Sequence, residues 1–452
     1  MPYKRKSGKW ERARSLGHVS IIENEVVQEK LRRYKVIDND AEFDLPNDLI
    51  LTREEVGEPN RQVHWAMSFD GSSGEVAVRE RYPSTRMCYA QIAGVLVDLA
   101  KISEQSRAHL VDPAAVEDAS DEALFPVVLP GSNVCDPDMP TVRDSWRAEI
   151  YDTFRNYKIE NLPLLSVLML LIGLRDEEKK GPNGEAKLAR CPNPECSGRE
   201  ILVPSEGCEC ESCGVQLYPT DALRIHEEVA ELQSNLTALT RLMLVLEHIS
   251  LVSYLYFLYK RQPRTLKNVA FILDGPLALY GPPSWLHTPI QRFINELHAK
   301  LEANNYRPPL IVGLEKSGTF AEHAAAISER IPAGSLMRLP QEYINDRILA
   351  TRATSETGYG EDNFYGKRFF YKTKTGSLLT FMAPLTTEGG DLSDPANYPN
   401  MPEILSLLDE IGTALYEDAV IPVALAHSFA SIPLRTGSKV LKLLAENHLS
   451  EA

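Results

Sequence analysis

The sequence predicts an α/β chain built on a mixed sheet with flanking helices, with α+β as the near alternative. Three observations lead there. Short apolar runs of strand length recur between turn residues, at His64-Trp-Ala-Met-Ser-Phe-Asp70, Val269-Ala-Phe-Ile-Leu-Asp274 and Pro309-Leu-Ile-Val-Gly-Leu314. Longer stretches carry apolar residues at helical spacing. Hairpin patterns come early and strand–helix alternation comes later, which suits a mixed sheet better than an all-parallel one.

Taken in order, residues 1–60 are highly charged with a helical middle and read as an arm or a partner-docking segment. Residues 64–99 read as strand–turn–strand, with Ser72-Ser-Gly74 as the turn. Residues 112–140 are acidic, contain proline and show no period, so they read as a loop or linker. A helix is expected over 144–156 and a buried apolar helix over 162–174, the latter shorter than the roughly 20 residues of a bilayer span. Residues 175–190 are a polar, turn-rich entry to a cysteine-rich segment. A long helix is expected over 221–260, its apolar stripe marked by Leu232, Leu236, Leu239, Met243, Leu246, Ile249 and Leu251. After the strands at 269–274 and 309–314 come a short helix over 319–331 and a hairpin over 364–381 turning at Thr373-Lys-Thr-Gly376. A helix over 401–417 follows, then a strand or strand-to-helix entry over 420–427. No internal repeat is visible.

The 452 residues are 43% hydrophobic and 25% charged, ordinary globular values, and the net charge is −15. Such a surface repels nucleic acid as a whole, so any binding falls to local patches. Three are basic: Lys4-Arg5-Lys6 with Lys9, Lys260-Arg261 with Arg264 and Lys267, and Lys367-Arg368 with Lys372 and Lys374. Lys367, Arg368 and Lys372 are the candidate DNA contacts, and a solvated surface is the alternative for each patch. The charged N-terminus has no apolar run behind it, which points to a cytoplasmic protein without a membrane partner.

Five of the seven cysteines crowd into one segment, Cys191, Cys196, Cys208, Cys210 and Cys213. In a reducing compartment that clustering favours a metal over disulfides. Cys210-Glu-Ser-Cys213-Gly has the spacing that lets two thiolates reach one zinc ion, and Cys191-Pro-Asn-Pro-Glu-Cys196 supplies a looser second hook. Cys208 is the alternative to Cys210. Four thiolates close a tetrahedral site, so the zinc is structural and the segment reads as an inserted ribbon. Cys88 and Cys135 stand alone and read as core thiols.

Asp70 and Asp274 each stand after an apolar run and before glycine. Two such strands side by side bring two carboxylates together, the hard oxygen ligands that Mg²⁺ and Mn²⁺ require. Either Asp-Gly alone is a weak signal, since most such pairs are simply turns. Glu247 interrupts the apolar run Leu244-Val-Leu-Glu-His-Ile-Ser-Leu-Val252, so it lies either on a narrow polar stripe with His248 or in a site. His427 ends the run Ala424-Leu-Ala-His427 and reads as a core histidine or a ligand; Lys316 follows a strand and reads as a surface lysine or a phosphate-facing cation.

The order of these pieces resembles the NurA nuclease family, partners of the HerA hexameric ATPase. The resemblance runs over most of residues 60–445 and is carried by Phe69-Asp70-Gly-Ser72, Leu273-Asp274-Gly-Pro-Leu277 and Ala426-His427, with Glu247 as the helical acid. Tyr218-Pro-Thr-Asp-Ala-Leu-Arg-Ile-His-Glu227 is similar to bacterial members with a cysteine-rich insert. The resemblance implies an RNase H-like mixed sheet with an inserted zinc ribbon, a homodimer, and Mn²⁺- or Mg²⁺-dependent DNA cleavage in DNA repair or antiviral defence. It divides the chain into an arm at 1–60, a nuclease domain at 61–174 and 221–452, and a zinc ribbon at 175–220. Asp70, Asp274 and Glu247 would hold the catalytic metal, His427 would ligate it or orient water, and Lys316 would steady the phosphate. A functional tyrosine is also implied, with Tyr343, Tyr359 and Tyr365 as candidates. Two alternatives stand beside this reading: a catalytically inactive adaptor that gates DNA at the ATPase pore, and a zinc-ribbon nucleic-acid-binding protein whose Asp-Gly pairs are only turns.

Overall fold

The computed structural model describes residues 19–34, 45–79, 84–101, 120–349, 362–385, 391–412, 420–431 and 436–449. The chain divides into a unit at 1–45 and a unit at 46–452. In the first, the helix Glu25–Arg33 is capped by Asn24, whose Oδ1 accepts from the amides of Val26 and Val27 at 3.0 and 3.3 Å.

The second unit is organised on a nine-stranded sheet. Its strands are β1 (Ile50–Thr52), β2 (Trp65–Arg79), β3 (Thr85–Asp98), β4 (Ser120–Pro130), β5 (Val269–Asp274), β6 (Leu310–Glu315), β7 (Ser335–Arg338), β8 (Gly366–Lys372) and β9 (Leu378–Pro384). Across the sheet the order is β1-β7-β8-β9-β6-β5-β2-β3-β4. β2, β5 and β6 run parallel at its centre, and every other pairing is antiparallel. This is the mixed α/β architecture that the sequence predicts.

Alternation along the strands divides the core into two layers. Met67, Phe69, Ala90, Ile92, Phe271 and Leu273 share one cluster with α1 (Val142–Asn156), α2 (Leu164–Gly173), α3 (Leu236–Arg261) and α4 (His287–Ala303). On the opposite face, Ala66, Ala270, Ile272 and Val312 pack with α6 (Met401–Ile411), while Ala93, Val95 and Val97 pack with α7 (Ile421–Ala430). Between β6 and β7 lies α5 (Thr319–Ile327), and α8 (Thr436–Leu449) closes the described chain. α3 is the one described helix long and apolar enough to cross a bilayer, yet most of its apolar window is buried in the core.

Several elements differ from the sequence reading. Ser72-Ser-Gly74 is no turn: β2 runs straight through it, pairing with β3 from Trp65 to Arg79. Ladder bonds to a long partner outweigh local turn preference. Residues 120–130, read as part of a linker, form edge strand β4; Phe125, Val127 and Leu129 are buried, and the edge position tolerates Pro126 and Pro130. The long helix starts at Leu236 rather than Asp221, and Leu232 and Leu236 are exposed. Ahead of it, Arg224 adopts left-handed φ 57°, and Asp221 is held by a buried ion pair with Arg147 at 2.8 Å, which fixes two separate 3₁₀ turns. Of the two readings for 420–427 the strand-to-helix entry holds: Val420 makes a β-bridge to Gly412 and helix α7 follows, with Pro422 in its first turn setting the helical φ. Cys88 is buried as expected, whereas Cys135 is exposed. Inside the segment read as an arm, β1 pairs with β7 and is an edge of the sheet.

Candidate metal centre

The parallel pairing of β2 with β5 puts Phe69 opposite Leu273, so Asp70 and Asp274 follow side by side. Both project on the α7 face, in step with Ala66, Ala270 and Ile272. β5 ends at Asp274. Gly275 turns the chain there at φ 143° and passes over Gly313, where a Cβ would lie 2.6 Å from the Gly275 carbonyl. Both glycines are therefore required by the turn that carries Asp274.

α7 brings His427 to this pair. Its Nδ1 lies 2.8 Å from Asp70 Oδ2, and an ionised carboxylate only accepts, so Nδ1 carries the proton. Oxygens of Asp70 and Asp274 and a ring nitrogen of His427 all lie within 4.8 Å of one another. Lys316, just beyond β6, donates from Nζ to Asp274 Oδ2 at 2.7 Å. The Asp70 and Asp274 carboxylates are mostly buried while 62% of the His427 side chain is exposed, so the centre opens to solvent on the histidine side.

Glu247 reaches the same place from the other layer. It is buried on α3 beneath Gly71, where a Cβ would stand 2.5 Å from Glu247 Oε1 and 2.6 Å from Met243 Cγ. Only glycine at 71 leaves room for the acid, and β2 has no parallel neighbour past Phe69 to shut it off. Glu247 stands outside the three-residue set but within electrostatic reach of both aspartates. Burial pushes its carboxyl well above the usual range, and the charges of Asp70 and Asp274 push it further, against a restraining hydrogen bond from the Gly71 amide. Asp70 is raised by burial and by Asp274, partly offset by His427.

The polar-stripe alternative for Glu247 and His248 does not hold, since both are buried. His248 Nδ1 lies 2.6 Å from the Tyr365 hydroxyl, and burial lowers the imidazole to about 3. Tyr365 is fully buried, and burial followed by the Glu247 charge raises its hydroxyl well above the usual range. Of the two candidate tyrosines among the described residues, Tyr365 adjoins the acids and Tyr343 bonds His323 at 2.9 Å; Tyr359 lies outside the described residues. The sequence reading missed Gly71 and the His248–Tyr365 pair. The signal was faint: a glycine after the acid, and a histidine beside an acid inside an apolar helix.

The expected DNA contacts need correction. Arg368 is buried, ion-paired to Glu315 at 2.6 Å and sandwiched between Phe320 and Phe364, 4.2 and 4.4 Å from their ring centroids. Lys372 donates to the Ser328 carbonyl at 2.7 Å. Alternation along β8 turns Arg368 inward, so the run is not one basic surface. Lys367 is half-buried beside Asp391.

The second cluster is the cysteine segment. Cys191, Cys196, Cys210 and Cys213 place their sulfurs within 4.8 Å of one another, with Cys191–Cys213 at 3.7 Å and Cys196–Cys210 at 3.8 Å. The four could hold a tetrahedral ion. Cys208 turns away toward the Leu202 carbonyl, 3.8 Å off, and is outside the set. Two small hairpins carry the thiols, Ala186–Arg190 with Arg199–Val203 and Cys208–Glu209 with Gln216–Leu217. Arg147 clamps the segment to the core, donating to Asp221 at 2.9 and 2.8 Å and to the Gln216 carbonyl at 2.5 Å.

No family model and no curated protein matches the chain. Among solved structures it is similar to the NurA nuclease from Sulfolobus solfataricus at 8% identity and TM-score 0.35, over 88% of this chain and 90% of that one. A second NurA structure aligns at 12% identity and TM-score 0.29, over 96% of this chain and 97% of that one.

Proposed function

We propose that the chain is a metal-dependent nuclease of the NurA kind, cleaving DNA in company with a HerA-like hexameric ATPase. The observation that carries this reading is the meeting of Asp70, Asp274 and Glu247 from two strands and a helix, buried together with too few positive charges beside them. Such a group is costly to hold without a cation, and its oxygen donors suit Mn²⁺ or Mg²⁺. A parallel sheet centre next to the β2–β3–β4 meander supports the RNase H-like core that the sequence resemblance implies.

The ion, when bound, supplies Lewis-acid charge and a more acidic water. The protein's residues do the rest. Asp70 and Asp274 hold the ion, and Glu247 adds negative charge from beneath. With Nδ1–H fixed on Asp70, His427 keeps Nε2 for a substrate water, which it orients or deprotonates. Lys316 sets a positive charge beside the phosphate where charge grows in the transition state. Tyr365 and His248 brace the wall next to Glu247. Zinc in the four-cysteine site is a folding staple. A homodimer and the ATPase partnership follow from the resemblance, with residues before 46 as the docking segment.

The test incubates purified protein with single- and double-stranded DNA, with and without Mn²⁺ and the cognate ATPase, beside Asp70→Ala and Asp274→Ala. Cleavage by the native chain alone is the expected result. Activity kept by either variant removes the site, and a native chain inert in every condition favours the gating adaptor.

A further inference from the structure

A cleft of about 870 Å³ opens where the cysteine segment meets the core, within the size range of ligand-binding clefts. Six cationic side chains line it: Arg143 on α1, Arg175 just past α2, Lys187 and Arg190 on one hairpin strand, Arg199 on its partner, and Arg224. This concentration stands against a chain charge of −15. Two carboxylates also line the cleft, and both are engaged. Asp221 accepts from Arg147, and Glu227 accepts from Arg224 at 3.0 and 2.7 Å.

Lys187 is ion-paired with Glu200 and Arg190 with Glu227 at 3.4 Å, which leaves three cations facing the cleft without an ion pair. Among the described residues Arg143, Arg175 and Arg199 have no carboxylate partner. Arg143 Nε is buried without an acceptor. The Arg175 guanidinium lies 4.1 Å from the centroid of Trp285, whose Nε1 is tied to the Ala222 carbonyl at 3.0 Å, so the cation is held in place by a fixed ring. Gly281 lines the same cleft, seven residues after Asp274, and a Cβ there would stand 2.8 Å from Arg241 Nε. Arg241 precedes Glu247 by six residues on α3, about 9 Å of helix. The cleft thus lies on the α3 side of the sheet, opposite the face on which Asp70, Asp274 and His427 open to solvent.

We propose that this cleft binds the phosphodiester backbone of a single-stranded DNA segment. The choice of DNA as the polyanion rests on the nuclease reading above. Cations on both walls suit an extended chain of phosphates better than one compact anion, and the cleft is too small for a duplex. Arginine forks matched to phosphate oxygens supply the contacts.

The test uses the full chain carrying Asp70→Asn, in buffer without divalent cation, so that binding is read apart from hydrolysis. Anisotropy of a labelled oligothymidylate is followed over a salt series, with and without Arg175→Ala plus Arg199→Ala. Removing two phosphate contacts should raise Kd by at least about tenfold and lower the salt slope by about 1.4. If that pair loosens the core, Arg190→Ala with Arg199→Ala, both exposed, carries the same expectation; zinc content and circular dichroism report the fold. Unchanged affinity and slope in a folded variant overturn the proposal. So does equal displacement of DNA by polyglutamate, which would make the cleft a dock for an acidic protein segment. A chain that binds DNA through the cleft yet cleaves none removes the nuclease reading and keeps the cleft. A chain that cleaves while the cleft variants bind normally removes the cleft alone.

Discussion

Replacing Asp70 by asparagine should make the metal-free protein more stable, and the size of the gain follows from the site. At 4.8 Å, the outer limit of the Asp70–Asp274 approach, two unit charges repel by about 3.5 kcal/mol at an effective dielectric of about 20. His427 and Lys316 offset part of this, His427 weakly because its side chain is 62% exposed. A net gain of about 1–2 kcal/mol remains, a rise of about 1–2 °C in Tm for a chain of this length. Asparagine keeps the shape of the carboxyl and still accepts from His427, so no packing is lost. The pH dependence has a defined sign. Asp70 and Glu247 are both raised in the folded state, so their contribution to stability is complete below the ordinary carboxylate range near pH 4 and is lost as pH rises through the raised values. The variant's advantage should therefore vanish in acid and grow toward pH 8. Mn²⁺ should reverse the order, since an ion at about 100 times its Kd stabilises the native chain by about 2.7 kcal/mol and has lost a ligand in the variant. Thermal melts in a mild chelator and in Mn²⁺, from pH 5 to 8, measure all of this. A variant that melts below the native chain in chelator at pH 8, or an equal Mn²⁺ shift in both proteins, refutes the reasoning.

Gly71→Ala should cut DNA cleavage at least tenfold while costing only about 1–3 kcal/mol of stability, because the added methyl displaces the flexible ends of Glu247 and Met243 rather than backbone; full activity in a soluble variant would show that Glu247 is not needed where it stands. The purified protein should carry about one zinc per chain, lost in Cys213→Ser and kept in Cys208→Ser, which elemental analysis decides. A chain starting at Pro46 should fold but fail to co-elute with the ATPase, whereas one starting at Arg61 should also lose stability because it removes β1; co-elution of the Pro46 chain would move docking elsewhere.

What the sequence made legible was the chemistry carried by short local patterns. Asp274 closes an apolar run of strand length, and Cys210-Glu-Ser-Cys213 has a spacing with one dominant use; both fall where they were expected. The turn at Ser72–Gly74 failed for the opposite reason. Its local preference was readable, but the fourteen-residue partner β3 that overrides it is a tertiary fact. The same holds for Arg368, whose neighbours in sequence are basic but whose neighbours in space are Glu315 and two phenylalanines. Glu247 was marked by its apolar surroundings, yet nothing in one dimension showed that it lies under the gap left by Gly71.

The acid centre also has a consequence for timing. Asp70 leaves the ribosome early, Glu247 and Asp274 midway, and His427 some 350 residues after the first, by the spacing along the chain. Glu247 comes from beneath the sheet and His427 from above it, so neither layer alone assembles the group. A half-made or half-melted chain therefore holds scattered carboxylates and no working centre. For a protein proposed to cut the cell's own kind of polymer, that arrangement makes complete folding the safety catch: the chain arms itself last, when both layers have closed on β2.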